Sequence, residues 1–458
     1  MIDKTYLLSD EQMRHFIING FVVVKTALPK SFHDEVFEKT ATVFEKEGNP
    51  GNNLLPRIPM IQKVFDDKTV IGALTSVLGE DYYMQPHRHP HYNPPNSKGQ
   101  NMHQDGGRRW SHHTRRLLVF YYPQNTPQAL GPTGIVPRSH YYNTPDGGKI
   151  SDELPLCGEA GTVTIANYDL WHRAMPNLTK KKRYMMKFLF ARMSEPQIPS
   201  WNSEQVEWSS ASDEQHQRMF KHVWDWHHGK TNGERGKAHP DRSTSLSELI
   251  DALDDDSEST CLNAAYAISE FGAQAVPALI DQLHDESEAI RRNACYALSA
   301  IGVPAVDALI GELDSQAESV RESAAEVLGD IGRPAGGAVP ALMQATQDES
   351  DEVRAHAVEA LGTAGQQEST AVPALINALQ DENDRVRRNS TLALARLGPY
   401  AEDAVDALKV AFADENRYVR GDAAHVLHRI GTPEATKVLL QFLTTSRWCP
   451  LTNQESTH

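Results

Sequence analysis

Cysteine is scarce in this chain: four in 458 residues, at positions 157, 261, 295 and 449, none in Cys-x-x-Cys spacing. That indicates neither a disulfide framework nor a thiolate zinc site, and a reducing, cytoplasmic compartment is the simplest expectation. Long apolar runs are missing too. None approaches the roughly 18–20 residues needed to cross a bilayer, so no membrane span is expected. The opening stretch MIDKTYLLSDEQ lacks a basic segment followed by an apolar core, and does not read as a secretory signal. Apolar residues are not short overall: at 40% hydrophobic and 23% charged, wholesale disorder is excluded. The length exceeds what one hydrophobic core supports, which predicts two or three domains.

Positive charge is what the second half lacks. Residues 243–458 hold 35 acids and 15 bases, a net of −20, while residues 1–242 hold 26 acids and 30 bases, a net of +4. So acidic a surface repels phosphates, which argues against a nucleic-acid partner. Fifteen of the 20 histidines lie in the first part. Chemistry is therefore expected there.

Internal repetition sets the architecture after residue 243. Six segments align, starting at 245, 275, 305, 338, 371 and 404, and each closes on a glycine: Gly272, Gly302, Gly332, Gly365, Gly398 and Gly431. In each unit a short apolar helix, AxxALI, is followed by a polar turn and a second helix of the form VRxxAAxxLGxxG. Neither helix buries its apolar stripe alone, so the units must stack. The array resembles the HEAT-like repeats also found in phycobilisome lyases. Arg291, Arg321, Arg354, Arg387 and Arg420 each stand 11 residues before their glycine, with Cys261 in that place in the first unit. They are expected to pair with neighbouring acids and set the stacking register. Residues 433–443 read as a closing helix and 446–458 as a polar tail. Some HEAT-repeat proteins are di-iron hydroxylases with His-Glu ligand pairs, but no His-Glu dipeptide occurs here. The array is expected to be a binding surface or scaffold, with a protein as its possible partner.

The first half reads as strands with flanking helices. Ser9-Asp-Glu-Gln12 opens a short helix that Gly20 ends, and FVVV at 21–24 is a buried strand. A second helix is expected over 30–47. From Tyr82 the pattern becomes strands and turns, with further strands at 115–122, 133–137, 161–167 and 183–193. Gln85, His87, His89 and His91 fall at period two, on one strand face. Strands so spaced predict an antiparallel barrel or double-sheet jelly roll.

The candidate chemistry is His103-Gln-Asp105 with His172. Two imidazoles and one carboxylate on one face of a metal leave positions open for a co-substrate and O2, which suits non-heme Fe(II). A strand would point His103 and Asp105 the same way. A lone His-x-Asp is weak evidence, and His239-Pro-Asp241 matches it too. The context is more specific. His172 opens a His-x4-Asn-x-Thr-x3-Arg pattern with Asn177, Thr179 and Arg183. A turn at Pro176-Asn177 would return Arg183 toward the pocket, where its guanidinium could grip a distal carboxylate.

This combination resembles the phytanoyl-CoA dioxygenase family of Fe(II)/2-oxoglutarate oxygenases. The likeness covers about residues 7–195, through the opening Asn-Gly-Phe and valine-rich strand at 19–24, His-Gln-Asp at 103–105, GPTGIVPRSH at 131–140, and the His172–Arg183 spacing. It implies a double-stranded β-helix (jelly roll), iron bound by His103, Asp105 and His172, and the 2-oxoglutarate C5 carboxylate on Arg183. It also implies polar cofactor contacts from among Gln85, His87, His89 and Thr179, with O2 as co-substrate. Arg138 stands where the family usually has glycine, and Thr179 replaces a commoner serine. The retained Asp105 favours hydroxylation over the halogenation of relatives that lack the carboxylate.

Arg108, Arg109, Arg115 and Arg116 cluster just after the motif. They are expected to form a basic edge facing the acidic array, with Arg108 and Arg138 also candidates for holding an anionic or carrier-bound substrate. His112-His113 reads as a surface pair. The stretch 201–228, with Trp201, Trp208, Trp224 and Trp226, is expected to pack one domain on the other. The predicted division is an oxygenase jelly roll over 1–200, a tryptophan-rich connector over 201–242 with its flexible joint at 229–242, and the array over 243–445. The leading expectation is an Fe(II)/2-oxoglutarate dioxygenase hydroxylating an aliphatic C–H bond of a small-molecule or carrier-bound substrate. The alternative is a HEAT-repeat adaptor with a non-catalytic jelly roll.

Overall fold

Ser9 caps the first helix, Asp10–Asn19, in a reciprocal capping box with Gln12, and Gly20 ends it in the left-handed conformation. This computed structural model describes residues 2–106, 111–144, 150–209, 215–230 and 244–445. Eight strands follow from that helix: β1 Phe21–Lys25, β2 Tyr82–Asn93, β3 Arg116–Tyr121, β4 Thr133–Ile135, β5 Leu154–Pro155, β6 Thr162–Asn167, β7 His172–Ala174 and β8 Arg183–Arg192. They form two antiparallel sheets, one in the order β1-β6-β3-β8-β2 and one in the order β5-β4-β7. The strand expected over 133–137 stops at Ile135, because Pro137 cannot donate to a ladder and Arg138 turns left-handed at φ +71°.

Strand β3 shows why this half reads as apolar runs. Leu117, Val119 and Tyr121 join Val36, Leu74 and Val77 of the helices Lys30–Glu47 and Lys68–Leu78 in one core. Leu118, Phe120 and Tyr122 face the opposite way, into the space between the sheets, with Ile135, Met185 and Leu189. Both faces are buried, so the strand has no polar alternation. The result is a jelly roll whose open end carries the histidines.

Beyond residue 244 the chain is six helix pairs and a closing helix, Pro433–Thr445. The arginine ladder is real. Arg321, Arg354 and Arg387 each fork onto an aspartate of the next unit, Asp348, Asp381 and Asp414, with Nε–Oδ2 distances of 2.7, 2.7 and 2.8 Å. Each also donates to a carbonyl six residues back in its own turn, as do Arg291 and Arg420. Cys261, which takes this place in the first unit, donates its thiol to Asp255 O at the same offset.

The second helices of the units line the inner face of the array, and that face wraps the jelly roll. Glu258 accepts from the backbone N–H groups of Asn143 and Thr144 at 2.8 and 3.0 Å. Arg115 pairs with Asp330 at 2.6 Å, Arg116 with Glu359 at 3.0 Å, and Asp81 with Arg429. The expected meeting of basic edge and acidic array thus holds for Arg115 and Arg116; Arg108 and Arg109 lie outside the described residues. The expectation of a surface pair at His112-His113 is corrected. His112 stacks on Tyr296 at 4.2 Å and His113 Nδ1 lies 3.0 Å from Asp330 Oδ1, both rings buried. The arginines that follow draw this segment onto the acidic helices. The tryptophan-rich stretch forms the helix Gln217–His227, which packs against both the first helix and Glu258–Ser269, with Trp224 fully buried. The polar tail and residues 231–243 of the expected joint lie outside the described residues.

Candidate metal centre and cofactor pocket

His103 and Asp105 do not sit on a regular strand, as their spacing suggested. His103 instead makes an isolated antiparallel bridge with His172, each backbone N–H donating to the other's carbonyl at 3.0 and 2.9 Å. Gln104 points away and donates to the carbonyls of Tyr142 and Asp169 at 2.9 and 2.7 Å. This clamp turns the chain so that Asp105 folds back beside the two histidines. Asp105 Oδ1 lies 3.7 Å from His103 Nε2 and 3.9 Å from His172 Nε2. The three donor atoms lie within 4.8 Å of one another.

Hydrogen bonding selects the tautomers. His103 Nδ1 faces Asn101 O at 3.0 Å and His172 Nδ1 faces Leu170 O at 2.8 Å. A carbonyl only accepts, so each Nδ1 carries the proton and each Nε2 lone pair is left for the centre. Burial holds His172 down to about 4, neutral at physiological pH, the form that ligates metals. Burial works against the Asp105 carboxylate, but Lys187, His172 and His103 together keep it below its usual range. Lys187 Nζ donates to Asp105 Oδ2 and leaves Oδ1 facing the histidines.

Arg183 arrives through the turn after His172. Asn177, fully buried, donates to the carbonyls of Lys181 and Asn93, and its Oδ1 accepts from Thr179 N and Oγ1. Thr179, expected as a cofactor contact, is a turn residue whose hydroxyl is spent on Asn177. Arg183 has no exposed surface. Its Nε donates to Gly131 O at 2.9 Å, while Nη1 and Nη2 are buried without a hydrogen-bond partner among the described residues. These groups border a small cavity shared with His91, His103, Thr133, His172 and Lys187. Two orphaned guanidinium nitrogens in a buried cavity fit a bidentate carboxylate. The residues present therefore suit both a metal and an oxo-acid.

The remaining expected residues are placed elsewhere. Rings of His87, His89 and His91 pack in series at 4.6 and 4.7 Å, so the period-two face is real, but it is His91 that borders the Arg183 cavity. His87 Nδ1 instead lies 3.1 Å from the hydroxyl of Tyr418 on the array. Gln85 falls in a register shift between Met84 and Arg88, its amide buried with no hydrogen bond among the described residues. Arg138 is exposed and does not line the Arg183 cavity. Lys187, Thr133 and Tyr122, which donates to Thr133 Oγ1 at 2.8 Å, were missed. Lysine at that offset on β8 was the available signal, since β8 residues 183, 185 and 187 share a face.

Residues 19–185 match the sequence pattern of the family described as phytanoyl-CoA dioxygenase (PhyH), and overlapping stretches 246–329, 306–394 and 372–450 match HEAT repeats. A PhyH domain is followed by HEAT repeats. The PhyH domain is of the Fe(II)/2-oxoglutarate-dependent oxygenase class. Among curated proteins, none is similar enough in sequence to match. Among solved structures, the PhyH domain is similar to HygX from Streptomyces hygroscopicus with nickel and 2-oxoglutarate bound, at 15% identity and a TM-score of 0.35, covering 45% of this chain and 93% of that one. It is also similar to EctD from S. alaskensis with bound Fe, at 14% identity and a TM-score of 0.35, covering 43% and 82%. A third is SnoK from nogalamycin biosynthesis, a non-heme alpha-ketoglutarate-dependent carbocyclase, at 15% identity, a TM-score of 0.35, and 42% and 88% coverage. Among the described residues, no helix is long and apolar enough to cross a membrane.

Proposed function

We propose that the chain hydroxylates an aliphatic C–H bond of a small molecule, with iron held by His103, Asp105 and His172 and the distal carboxylate of 2-oxoglutarate held by Arg183. The convergence of His103 Nε2, His172 Nε2 and Asp105 Oδ1 carries this reading. Iron so held, with 2-oxoglutarate and O2, supplies the oxidising power for oxygen insertion, the oxo-acid leaving as succinate and CO2. The protein's share is positional. Lys187 fixes the Asp105 carboxylate, Arg183 and Thr133 orient the oxo-acid from its far end, and Phe120, whose ring centre lies 5.7 Å from that of His172, keeps the inner side apolar. The buried guanidinium also gives specificity for a dicarboxylate, because a monocarboxylic oxo-acid would leave it unpaired.

The test is succinate formation with Fe(II) and 2-oxoglutarate in the wild type and in His103→Ala and Asp105→Ala. The variants should fall to background; undiminished turnover in them would overturn the assignment. The adaptor reading has less support, because the inner face of the array is taken up by the chain's own jelly roll. A protein partner would have to use another face of the array.

A further inference from the structure

A cavity of about 910 Å³ lies between the jelly roll and the array. Its near wall includes Gly106 and Tyr168, and Tyr168 Oη donates to the backbone carbonyl of Asp105 at 3.3 Å. The cavity therefore begins one residue from the candidate metal ligand. Inner helices of the array close its far side, among them Asp384–Leu397 and Arg417–Ile430. A space of this size, near the top of the usual range for small-molecule sites, has room for a substrate.

Acids outnumber bases among the described residues of these walls, yet their charge is taken up locally. Glu359 pairs with Arg116 and Glu352 with Arg385. Asp384 accepts from Asn416 Nδ2 at 2.8 Å. Glu322 and Asp169 are engaged in interactions of their own. Burial, with Glu359 and Glu322 adding to it, pushes the Glu326 carboxyl well up toward its neutral form. The cations divide differently. Arg115, Arg116 and Arg385 each hold a carboxylate, whereas Arg388 pairs with none among the described residues, and its Nε is buried without a hydrogen-bond partner there. Asp422 lies within electrostatic reach of Arg388, but its Oδ1 takes the hydroxyl of Tyr83, and burial pushes its carboxyl up to about 7.

Arg388 is also held in place. Its Cζ lies 4.6 Å over the ring of Tyr418, whose hydroxyl is fixed from the jelly-roll side by Asn52 Nδ2 at 3.3 Å and His87 Nδ1 at 3.1 Å. A guanidinium stacked in this way keeps its in-plane N–H edge for a partner with two oxygens. Half-buried and without a carboxylate, it is unfavourable until such a partner enters. We propose that this interdomain cavity is the substrate chamber, and that the substrate is a polar small molecule whose carboxylate or phosphate is held by Arg388. The fifth repeat then supplies a residue of the active site, and the array selects the substrate as well as enclosing it. This rests on the oxygenase reading above and adds to it the substrate's chemical class and the residue that selects it.

The experiment uses the full chain loaded with Fe(II) and 2-oxoglutarate without O2, so that the Arg183 site is filled. Calorimetry follows 4-hydroxybutyrate as the carboxylate probe and glycerol 3-phosphate as the phosphate probe, with putrescine and 1,4-butanediol as cationic and neutral controls. At least one oxyanion should bind about tenfold or more tightly than either control, and the tighter of the two identifies the group that Arg388 takes. Arg388→Met should weaken that binding about tenfold, with Arg388→Lys in between. Melting temperature and affinity for 2-oxoglutarate should stay close to those of the wild type. Controls that bind as well as the oxyanions, or oxyanion affinity unmoved in Arg388→Met, would overturn the proposal. Should that variant not fold, Arg388→Lys decides, an unmoved affinity there overturning it. A wild type that takes up 2-oxoglutarate but no oxyanion probe overturns the chamber assignment alone. A wild type that takes up neither overturns the oxygenase reading with it.

Discussion

Asp105 divides its two oxygens between different tasks: Oδ2 takes the ammonium of Lys187, and Oδ1 turns to the histidines. On the proposed reading, an iron ligand held this way loses orientation when its outer partner goes. Lys187→Met should weaken Fe(II) binding about 10- to 100-fold, measured by metal titration, while the fold is kept. Arg183 predicts a different split. Arg183→Met should raise the KM for 2-oxoglutarate about 10- to 100-fold, with Fe(II) affinity unchanged, because on the proposed reading the lost groups would touch the far carboxylate only. A fall in iron affinity instead would place Arg183 among residues that shape the metal site. Sequence alone singled out His103, Asp105, His172 and Arg183 as candidates, because their spacing is a motif, and the fold brings them close together. Lys187, Thr133 and His91 were hidden, since what brings them to the site is the register of β8 against β2 and β3. His91 opposes Met185 and Phe120 opposes Lys187, pairings that no local pattern contains.

At the level of elements, repetition was the clearest signal. Six copies in phase gave the helix pairs, the closing helix and the role of the arginines. The fork of Arg354 on Asp381, both side chains nearly buried, ties one unit to the next. Arg354→Ala should cost about 1–3 kcal/mol in chemical unfolding, and Arg354→Lys should recover only part, because an ammonium cannot reproduce the planar fork. The His-Gln-Asp segment was read less well. A strand was the simplest way to align its two candidate ligands, whereas the chain uses one bridge to His172 and a glutamine clamp. Thr179 misled for a related reason: a hydroxyl inside a motif looked like a ligand and serves a turn.

In the whole molecule, the split of charge becomes an interface. The basic edge at Arg115 and Arg116 meets Asp330 and Glu359, and further polar contacts run from Asn143 Nδ2 donating to Tyr296 Oη at 2.9 Å to Tyr83 Oη donating to Asp422 Oδ1 at 2.9 Å. This docking was not legible beyond its sign, because no periodicity tells which helix faces the jelly roll. Gly421 marks a close approach: a Cβ there would lie 2.6 Å from the ring of Pro86. Gly421→Ala, normally favourable within a helix, should instead lower the melting temperature. Asp422 makes the interface pH-sensitive. Burial pushes its carboxyl up to about 7, although Tyr83, Arg388, Arg88 and Arg116 oppose the shift. The folded state therefore keeps a proton that the unfolded chain releases from about pH 4, and stability is lost as pH rises through about 4 to 7. Asp422→Asn should raise the melting temperature at about pH 8 by about 2–4 °C, and by less at about pH 5. An equal gain at both would remove Asp422 as the cause.

The most direct measurement of the central claim is an anaerobic titration of 2-oxoglutarate into the Fe(II)-loaded full chain, followed by the visible charge-transfer absorption that an iron-bound oxo-acid gives. The account predicts a saturable band at one equivalent, absent in His103→Ala and His172→Ala and shifted to higher 2-oxoglutarate concentration in Arg183→Met. A wild type that shows no band, or a band that persists unchanged in both histidine variants, would contradict it.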